Sequence, residues 1–346
     1  QDPPVALPPA DSKWRFADAA IDEERSRLVC VGEDHSTGKE PSNSVVAVSI
    51  RPGSDPSPPT VLCSGKDFYA APRISPDGTK LAWVEWSHPS MPWDSTSVMV
   101  AEIGPDGLPT NSRQVGGGPT ESCGQPRWSP SGVLHFISDR TGWWNIHKDD
   151  PAEGPVALRT QAAEFAGPDW GLGQRSYQFL PSGDIVCVIN DPKQSGAELA
   201  VLDPTNGDLT PVHCPYSNIG SLSVCGGTLA TLGGSSLKPS AVTFTALPAG
   251  PSAQEWTEVR LASKMSVGDG YLSEPQAVEF PTAGGKTSHM LYYPPKNQDY
   301  TASDAAPPLL VKSHGGPTGA TSSAFNSTIQ FWTSRGWAVA DVNYGG

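Results

Sequence analysis

The chain has 346 residues, enough for two domains that each bury a hydrophobic core. Hydrophobic residues make up 37% and charged residues 17%, and 36 glycines and 36 prolines favour many short strands and tight turns over long helices. A formal net charge of −13 without any run of basic residues argues against nucleic acid as a partner, and no apolar stretch approaches the roughly 20 residues that cross a bilayer.

A short turn pattern recurs in the first two thirds of the chain. It is Pro-Asp-Gly or Pro-Ser-Gly, entered from an apolar residue and followed at once by a strand of alternating pattern. The three plain copies lie at residues 74–78, 128–132 and 180–183. Their glycines supply the positive φ that such turns require, so we expect Gly78, Gly132 and Gly183 to occupy equivalent turns.

The spacing of these turns indicates a repeated unit. Weaker copies precede residues 28–31 and 229–232, which gives a period of roughly 45 to 55 residues. Each period holds about four strand-like runs, and a unit of that kind is typical of a β-propeller blade. The sequence therefore predicts a mainly β fold, with a propeller domain of about five blades over residues 14–267.

The pattern changes from Glu274 onward, and residues 274–346 are predicted to begin a different domain. Two alternating runs form a hairpin through Gly284 and Gly285, and a proline-rich loop follows. The later segments are a buried strand at 309–312, a helix at 323–334 and a second buried strand at 337–342. Strand, helix and strand in this order are typical of the start of a parallel α/β sheet.

The candidate catalytic residues lie in the loop His314-Gly315-Gly316-Pro317, directly after the first of these buried strands. Parallel α/β sheets bind ligands at the carboxyl ends of their strands. Glycines let the backbone approach a substrate carbonyl, and an N–H group there can stabilise the oxyanion of a tetrahedral intermediate. A plain surface loop is the alternative, but the strand before this segment and the helix after it favour an oxyanion loop.

The segments around this loop resemble the S9 prolyl oligopeptidase family, in its acylaminoacyl-peptidase or dipeptidyl-peptidase-like branch. Stretches of the predicted propeller resemble the same branch, so the resemblance covers nearly the whole chain. The segments that carry it are 308–317, 332–337 and 341–346 around the loop, and 68–69, 72–78, 88–94 and 138–145 in the propeller.

The resemblance implies a two-domain serine peptidase, in which a propeller caps an α/β-hydrolase domain and restricts which peptides reach the site. It implies hydrolysis near the amino end of short peptides through an acyl-enzyme on serine. Gly316 would donate its N–H to the oxyanion, while His314, Gly315 and Pro317 would shape the loop. A role of His314 as general base is the weaker alternative, because the family's base lies downstream.

The sequence departs from the family in one respect. No serine lies in a G-x-S-x-G elbow, and in this family the Ser, Asp and His of the triad follow the oxyanion loop. We therefore expect a fragment without the triad, inactive alone. The resemblance also implies that about two of the family's usual seven blades are missing before Trp14. An esterase on the same scaffold and a propeller that only binds partners remain alternative functions.

The remaining residues suggest no cofactor and no metal. The six cysteines are scattered, and Cys30, Cys187 and Cys225 are predicted to be buried, reduced thiols, which points to a cytoplasm-like compartment. No cluster of His, Cys and carboxylate has metal spacing. His135 and His147 fall in strand-like runs and are predicted to pack within the blades. The sequence leaves open whether the protein also forms a homo-oligomer.

Overall fold

The computed structural model describes most of the chain, and its regular structure is mainly β-strand, as predicted. The described residues are 7, 12–51, 57–192, 194, 196–247, 255–264, 267–301, 305–316 and 318–344.

Five four-stranded sheets follow one another along the chain, and in each the strands pair in chain order. We call them blades 1 to 5, because strand number and order are those of propeller blades. Their strands are β1 (Trp14–Asp22), β2 (Arg27–Asp34), β3 (Ser42–Ser49), β4 (Thr60–Cys63), β5 (Phe68–Ile74), β6 (Lys80–Trp86), β7 (Ser97–Ile103), β8 (Pro109–Gly117), β9 (Cys123–Trp128), β10 (Leu134–Ser138), β11 (Asn145–Asp150), β12 (Gly154–Ala157), β13 (Tyr177–Phe179), β14 (Ile185–Ile189), β15 (Glu198–Leu202), β16 (Leu209–Pro211), β17 (Asn218–Cys225), β18 (Thr228–Gly234), β19 (Ala241–Ala246) and β20 (Thr257–Leu261). The predicted repeat of about five blades is confirmed.

The turn pattern read from the sequence forms the same structure three times. Gly78, Gly132 and Gly183 have φ of 68°, 80° and 97°, a region that favours glycine. The N–H of each glycine donates over 2.9 Å to the carbonyl three residues earlier. The three glycines therefore occupy equivalent turns between the first and second strands of their blades, as predicted.

The second strand of blade 2, β6, is apolar on both faces because both faces are packed. Alternate side chains of a strand point in opposite directions. Leu81 and Trp83 contact the core shared with blade 1, whereas Ala82 and Val84 contact the core shared with blade 3. A strand of this kind shows a continuous apolar run instead of alternating polarity.

The first strands of four blades contain a bulge, with one residue in the left-handed region. These residues are Asp18, Ala71, Gln125 and Ser221, with φ between 49° and 54°. The sequence pattern did not predict these bulges. In blades 1 and 3 the bulge residue contacts the next blade: the Asp18 carboxylate accepts the N–H of Ala71 over 2.9 Å, and Gln125 Oε1 accepts the N–H of Ser176 over 2.9 Å.

The chain divides into two compact units, Gln1–Cys187 with Leu202–Leu209, and Val188–Val201 with Thr210–Gly346. The second unit holds a sixth sheet, in the order β21-β22-β24-β23. β21 and β22 form the predicted hairpin, and β24 is antiparallel to β22 but parallel to β23. The elements are β21 (Gln276–Pro281), β22 (Thr287–Tyr293), β23 (Leu309–Ser313), α1 (Ser327–Thr333) and β24 (Ala338–Asn343).

Two predictions in this part of the chain were wrong in detail. The strand at 309–312 is exposed, with Leu309 at 53% and Val311 at 64%, because β23 forms the edge of the sheet. The helix is shorter than predicted, because the Asn326 side chain accepts the N–H groups of Thr328 and Ile329 and so caps it there. In the described part of the chain no helix is both long and apolar enough to cross a membrane.

The buried cysteines and histidines follow the predictions with one exception. Cys30 and Cys187 are buried, but Cys225 is exposed at the end of β17, beside the turn into β18. His135 is 3% exposed and His147 is fully buried in blade 3, as predicted for packing residues. Burial lowers the pKa of both imidazoles, to about 4 for His135.

We expect acid to destabilise the wild-type chain more than the variant His135→Leu. The unfolded imidazole takes up a proton near pH 6.5, whereas the folded one stays neutral down to about pH 4. The unfolded state therefore binds more protons in this window, and stability falls as the pH is lowered through it, by about 2 kcal/mol for this residue. Urea denaturation at pH 7.5 and pH 4.5 measures both losses, and equal losses would contradict the assignment.

Candidate functional site

The loop predicted to hold the oxyanion follows the carboxyl end of β23, which pairs in parallel with β24. Gly316 has φ of 83°, and a Cβ placed on it would meet nothing within 4 Å, so it faces open space. Among the described residues its N–H meets no acceptor. An exposed and unpaired N–H is what an oxyanion donor requires before substrate binds. Pro317 lies outside the described residues.

His314 holds the start of this loop against the end of β24. Its ring stacks on Tyr344, with centroids 4.1 Å apart and planes 3° apart. The Tyr344 hydroxyl donates to the carbonyl of His314 over 2.9 Å, and His314 Nε2 lies 3.3 Å from the carbonyl of Tyr344. These contacts suit a residue that shapes the loop.

The far end of the loop is held by two polar side chains of β24, the buried Asp341 and the half-buried Asn343. The Thr321 hydroxyl donates to Asp341 Oδ1 over 3.2 Å, and its N–H donates to Asn343 Oδ1 over the same distance. Lys312 Nζ, at the end of β23, donates to Asp341 Oδ2 over 2.6 Å. Asp341 is 2% exposed, and within the described residues the Lys312 ammonium and the Thr321 hydroxyl stabilise its charge.

A buried phenol lies next to this network. Tyr293 on β22 is 1% exposed, and its hydroxyl has no hydrogen-bond partner within the described residues. Burial, together with the negative charge of Asp341, raises the pKa of Tyr293 to about 12, which keeps the ring neutral. The described part of the site therefore holds one compensated ion pair and no free carboxylate that could act as a base.

The structure brings together residues that the sequence did not single out. Thr321, Asp341, Asn343 and Tyr344 all contact the loop or its two ends. The sequence held one indication of these contacts. Asp341 interrupts an otherwise apolar strand, and a buried charge needs a partner. Across the described residues no group of three or more His, Cys, Asp or Glu side chains could hold a metal ion.

Solved structures match the chain over nearly its whole length. No protein-family model matches it, and no curated protein does. A puromycin-hydrolyzing peptidase of Mycobacterium tuberculosis is 35% identical, with a TM-score of 0.87, and the match covers 98% of this chain and 52% of that one. A puromycin hydrolase is 32% identical, with a TM-score of 0.89, over 99% and 52%.

More distant matches agree in fold. Prolyl oligopeptidase B of Galerina marginata, solved with a bound 35mer substrate, is 12% identical with a TM-score of 0.72 over 96% of this chain and 45% of that one. At that identity the match bears on the fold alone. The chain spans about half the length of all three of these structures.

Proposed function

This chain belongs to the S9 prolyl oligopeptidase family over the part of its relatives that it spans, and on that premise we propose that the protein is a serine peptidase acting on short peptides through an acyl-enzyme. One observation carries the proposal. The N–H of Gly316, which meets no acceptor among the described residues, follows the carboxyl end of a parallel strand, in a chain 35% identical to a peptidase.

In the proposed reaction a serine hydroxyl attacks the scissile carbonyl, and the carbonyl oxygen becomes an oxyanion. The N–H of Gly316 donates to that oxygen, and the C–N bond then breaks to release the amine. Water hydrolyses the remaining ester. None of the 346 residues is a serine within G-x-S-x-G, so we propose that nucleophile, acid and base come from sequence outside this chain.

The proposed substrates are short peptides cleaved near the amino end, and puromycin is a suitable assay substrate because two relatives are named for hydrolysing it. The propeller blades are proposed to limit access to larger chains. The cytoplasm is the proposed compartment.

The test compares this chain with the coding sequence extended to the length of the relatives. We expect the extended protein to hydrolyse puromycin and short peptides and to bind a fluorophosphonate probe at serine. The 346-residue chain, which has no G-x-S-x-G, is the matched negative control. Replacing the serine of a G-x-S-x-G elbow by Ala in the extended protein should abolish both signals. Hydrolysis of esters without hydrolysis of any peptide would favour an esterase instead.

A further inference from the structure

The loop that carries Gly316 folds back on itself at Gly319. A Cβ placed on Gly319 would overlap the carbonyl oxygen of Gly315 and would lie 2.7 Å from Nδ1 of His314. Both contacts are too short for a real Cβ, so the two parts of the loop meet this closely only because residue 319 is glycine. The Gly315 carbonyl therefore lies where any other residue at 319 would carry its side chain.

The carbonyl of Gly315 and the N–H of Gly316 belong to one peptide group. This peptide bond is trans, so the two groups point in opposite directions within one plane, and rotation about the C–N bond is strongly hindered. A contact that fixes the direction of the carbonyl therefore fixes the direction of the N–H as well. Because the carbonyl points at Gly319, the N–H points away from it, and no described residue offers that N–H an acceptor.

Gly319 is itself connected to the sheet two residues further along. Thr321 donates its N–H to Asn343 Oδ1 over 3.2 Å, and its hydroxyl lies 3.2 Å from Asp341 Oδ1 and 3.3 Å from the carbonyl of Val342. All three acceptors belong to β24, which pairs in parallel with β23. Gly319 therefore lies between a segment held by the sheet and the peptide group that carries the proposed donor.

Backbone conformation does not explain why residue 319 is glycine. The φ of Gly316 is 83°, in the left-handed region, whereas the φ of Gly319 lies outside that region. A residue with a side chain would therefore suffer no left-handed strain at position 319. The close approach of the Gly315 carbonyl is the feature that requires glycine there.

We propose that Gly319 is a positioning residue for the oxyanion donor. By leaving room for the Gly315 carbonyl, it directs the N–H of Gly316 to the place where the oxyanion forms. The inference rests on the proposed function, because it assigns Gly319 to the same reaction. Gly319 acts only through the peptide group of Gly315 and Gly316, and a misplacement of such a group by about 1 Å costs on the order of 10² in rate.

In the extended protein, Gly319→Ala is expected to lower turnover by about tenfold to a hundredfold. The added Cβ must displace the Gly315 carbonyl, and the N–H of the same peptide group turns with it. The Michaelis constant should change by less than about threefold, because the donor acts mainly in the transition state. A peptide boronic acid forms a tetrahedral adduct with serine, so its affinity should fall by a factor similar to that of turnover.

Gly227→Ala is the matched control. A Cβ on Gly227, in the turn between β17 and β18, would also meet a backbone carbonyl, that of Leu247 at 2.9 Å. Both variants force a carbonyl to move, but only the Gly315 carbonyl shares a peptide group with the proposed donor. Gly227→Ala should therefore lower the melting temperature and leave the turnover of the folded protein unchanged.

A second pair of variants tests the connection to the sheet. Thr321→Val keeps the shape of the side chain but removes the hydroxyl that contacts β24, so it should lower turnover by about threefold to tenfold, the range expected for one hydrogen bond. Thr321→Ser keeps the hydroxyl and should restore wild-type turnover. This pair applies the same criteria if Gly319→Ala does not fold.

The direction of the N–H can be measured in the 346-residue chain without any activity. In a chain labelled with ¹⁵N-glycine, the Gly316 signal is identified by its loss in Gly316→Ala. The residual dipolar coupling of this N–H in an aligned medium reports its direction. We expect the coupling to change in Gly319→Ala and to stay the same in Gly227→Ala.

The two measurements separate the inference from the function on which it rests. If the wild-type extended protein hydrolyses no peptide, the proposed function is wrong, and the dipolar coupling still decides whether Gly319 directs the peptide group. An unchanged coupling in Gly319→Ala would overturn the inference, and so would a folded variant with turnover within about threefold of wild type. A loss of turnover shared by Gly227→Ala, or an unchanged affinity for the boronic acid, would assign the loss to stability and reject the positioning role.

Discussion

Replacing Gly316 by Pro in the extended protein is expected to lower turnover by on the order of 10² to 10³, or about 3 to 4 kcal/mol of transition-state stabilisation. Proline removes the N–H that is proposed to meet the oxyanion and that has no acceptor within the described part of the chain. The Michaelis constant should change less, because the charge develops mainly in the transition state. Steady-state kinetics with a peptide anilide measure both parameters.

The variant Gly316→Ala is the matched control. It keeps the N–H but places a Cβ on a residue with φ of 83°, so it reports the strain of a side chain there without loss of the donor. The proline ring fixes φ at about −65° and therefore also moves the backbone of the loop. Circular dichroism and melting must show that both variants are folded. A folded Gly316→Pro protein with turnover within about threefold of wild type would remove Gly316 from the mechanism, since the predicted loss is far larger.

Replacing Asp18 by Ala is expected to lower the free energy of unfolding of the 346-residue chain by about 3 to 5 kcal/mol. The substitution removes the partner of Arg73, which is 16% exposed, and leaves that charge uncompensated. It also removes the acceptor of the Ala71 N–H. Urea denaturation at neutral pH measures the change as a shift of the midpoint.

The exposed pair of Arg15 and Glu33 provides the comparison in the same blade. Their side chains are 74% and 38% exposed and their charged atoms are 3.9 Å apart, so this pair contributes little. Glu33 also contacts His35 Nε2 over 2.6 Å, and Glu33→Ala, which removes both contacts, should cost about 1 kcal/mol. Asp18→Asn keeps an oxygen for the Ala71 N–H and should be intermediate. Equal small losses for Asp18→Ala and Glu33→Ala would show that the pair with Arg73 does not stabilise blade 2.

The candidate site was only partly visible in the sequence. The order of strand, glycine loop, helix and strand located Gly316 beside a parallel strand pair, because that order restricts the topology. It did not reveal that Asp341 and Tyr344 hold the loop at its two ends. Those contacts join residues 20 to 30 positions apart, and no local pattern records them.

The sequence by itself determined the repeat and the turns. Gly78, Gly132 and Gly183 could be placed in equivalent turns because a positive φ is a local requirement that favours glycine. The strand-like runs after these turns were visible too, although the run in β6 is continuously apolar and not alternating, because both of its faces are packed. These features depend only on near neighbours, so composition and spacing record them.

The tertiary structure alone decided which charges are compensated. Asp18 and Arg73 are 55 positions apart and meet because the bulge of one blade faces the next. It also decided that β23 is an exposed edge and that Cys225 is exposed, although both lie in apolar runs. Burial and ion pairing depend on which strands become neighbours, and that is set by the packing of the whole unit.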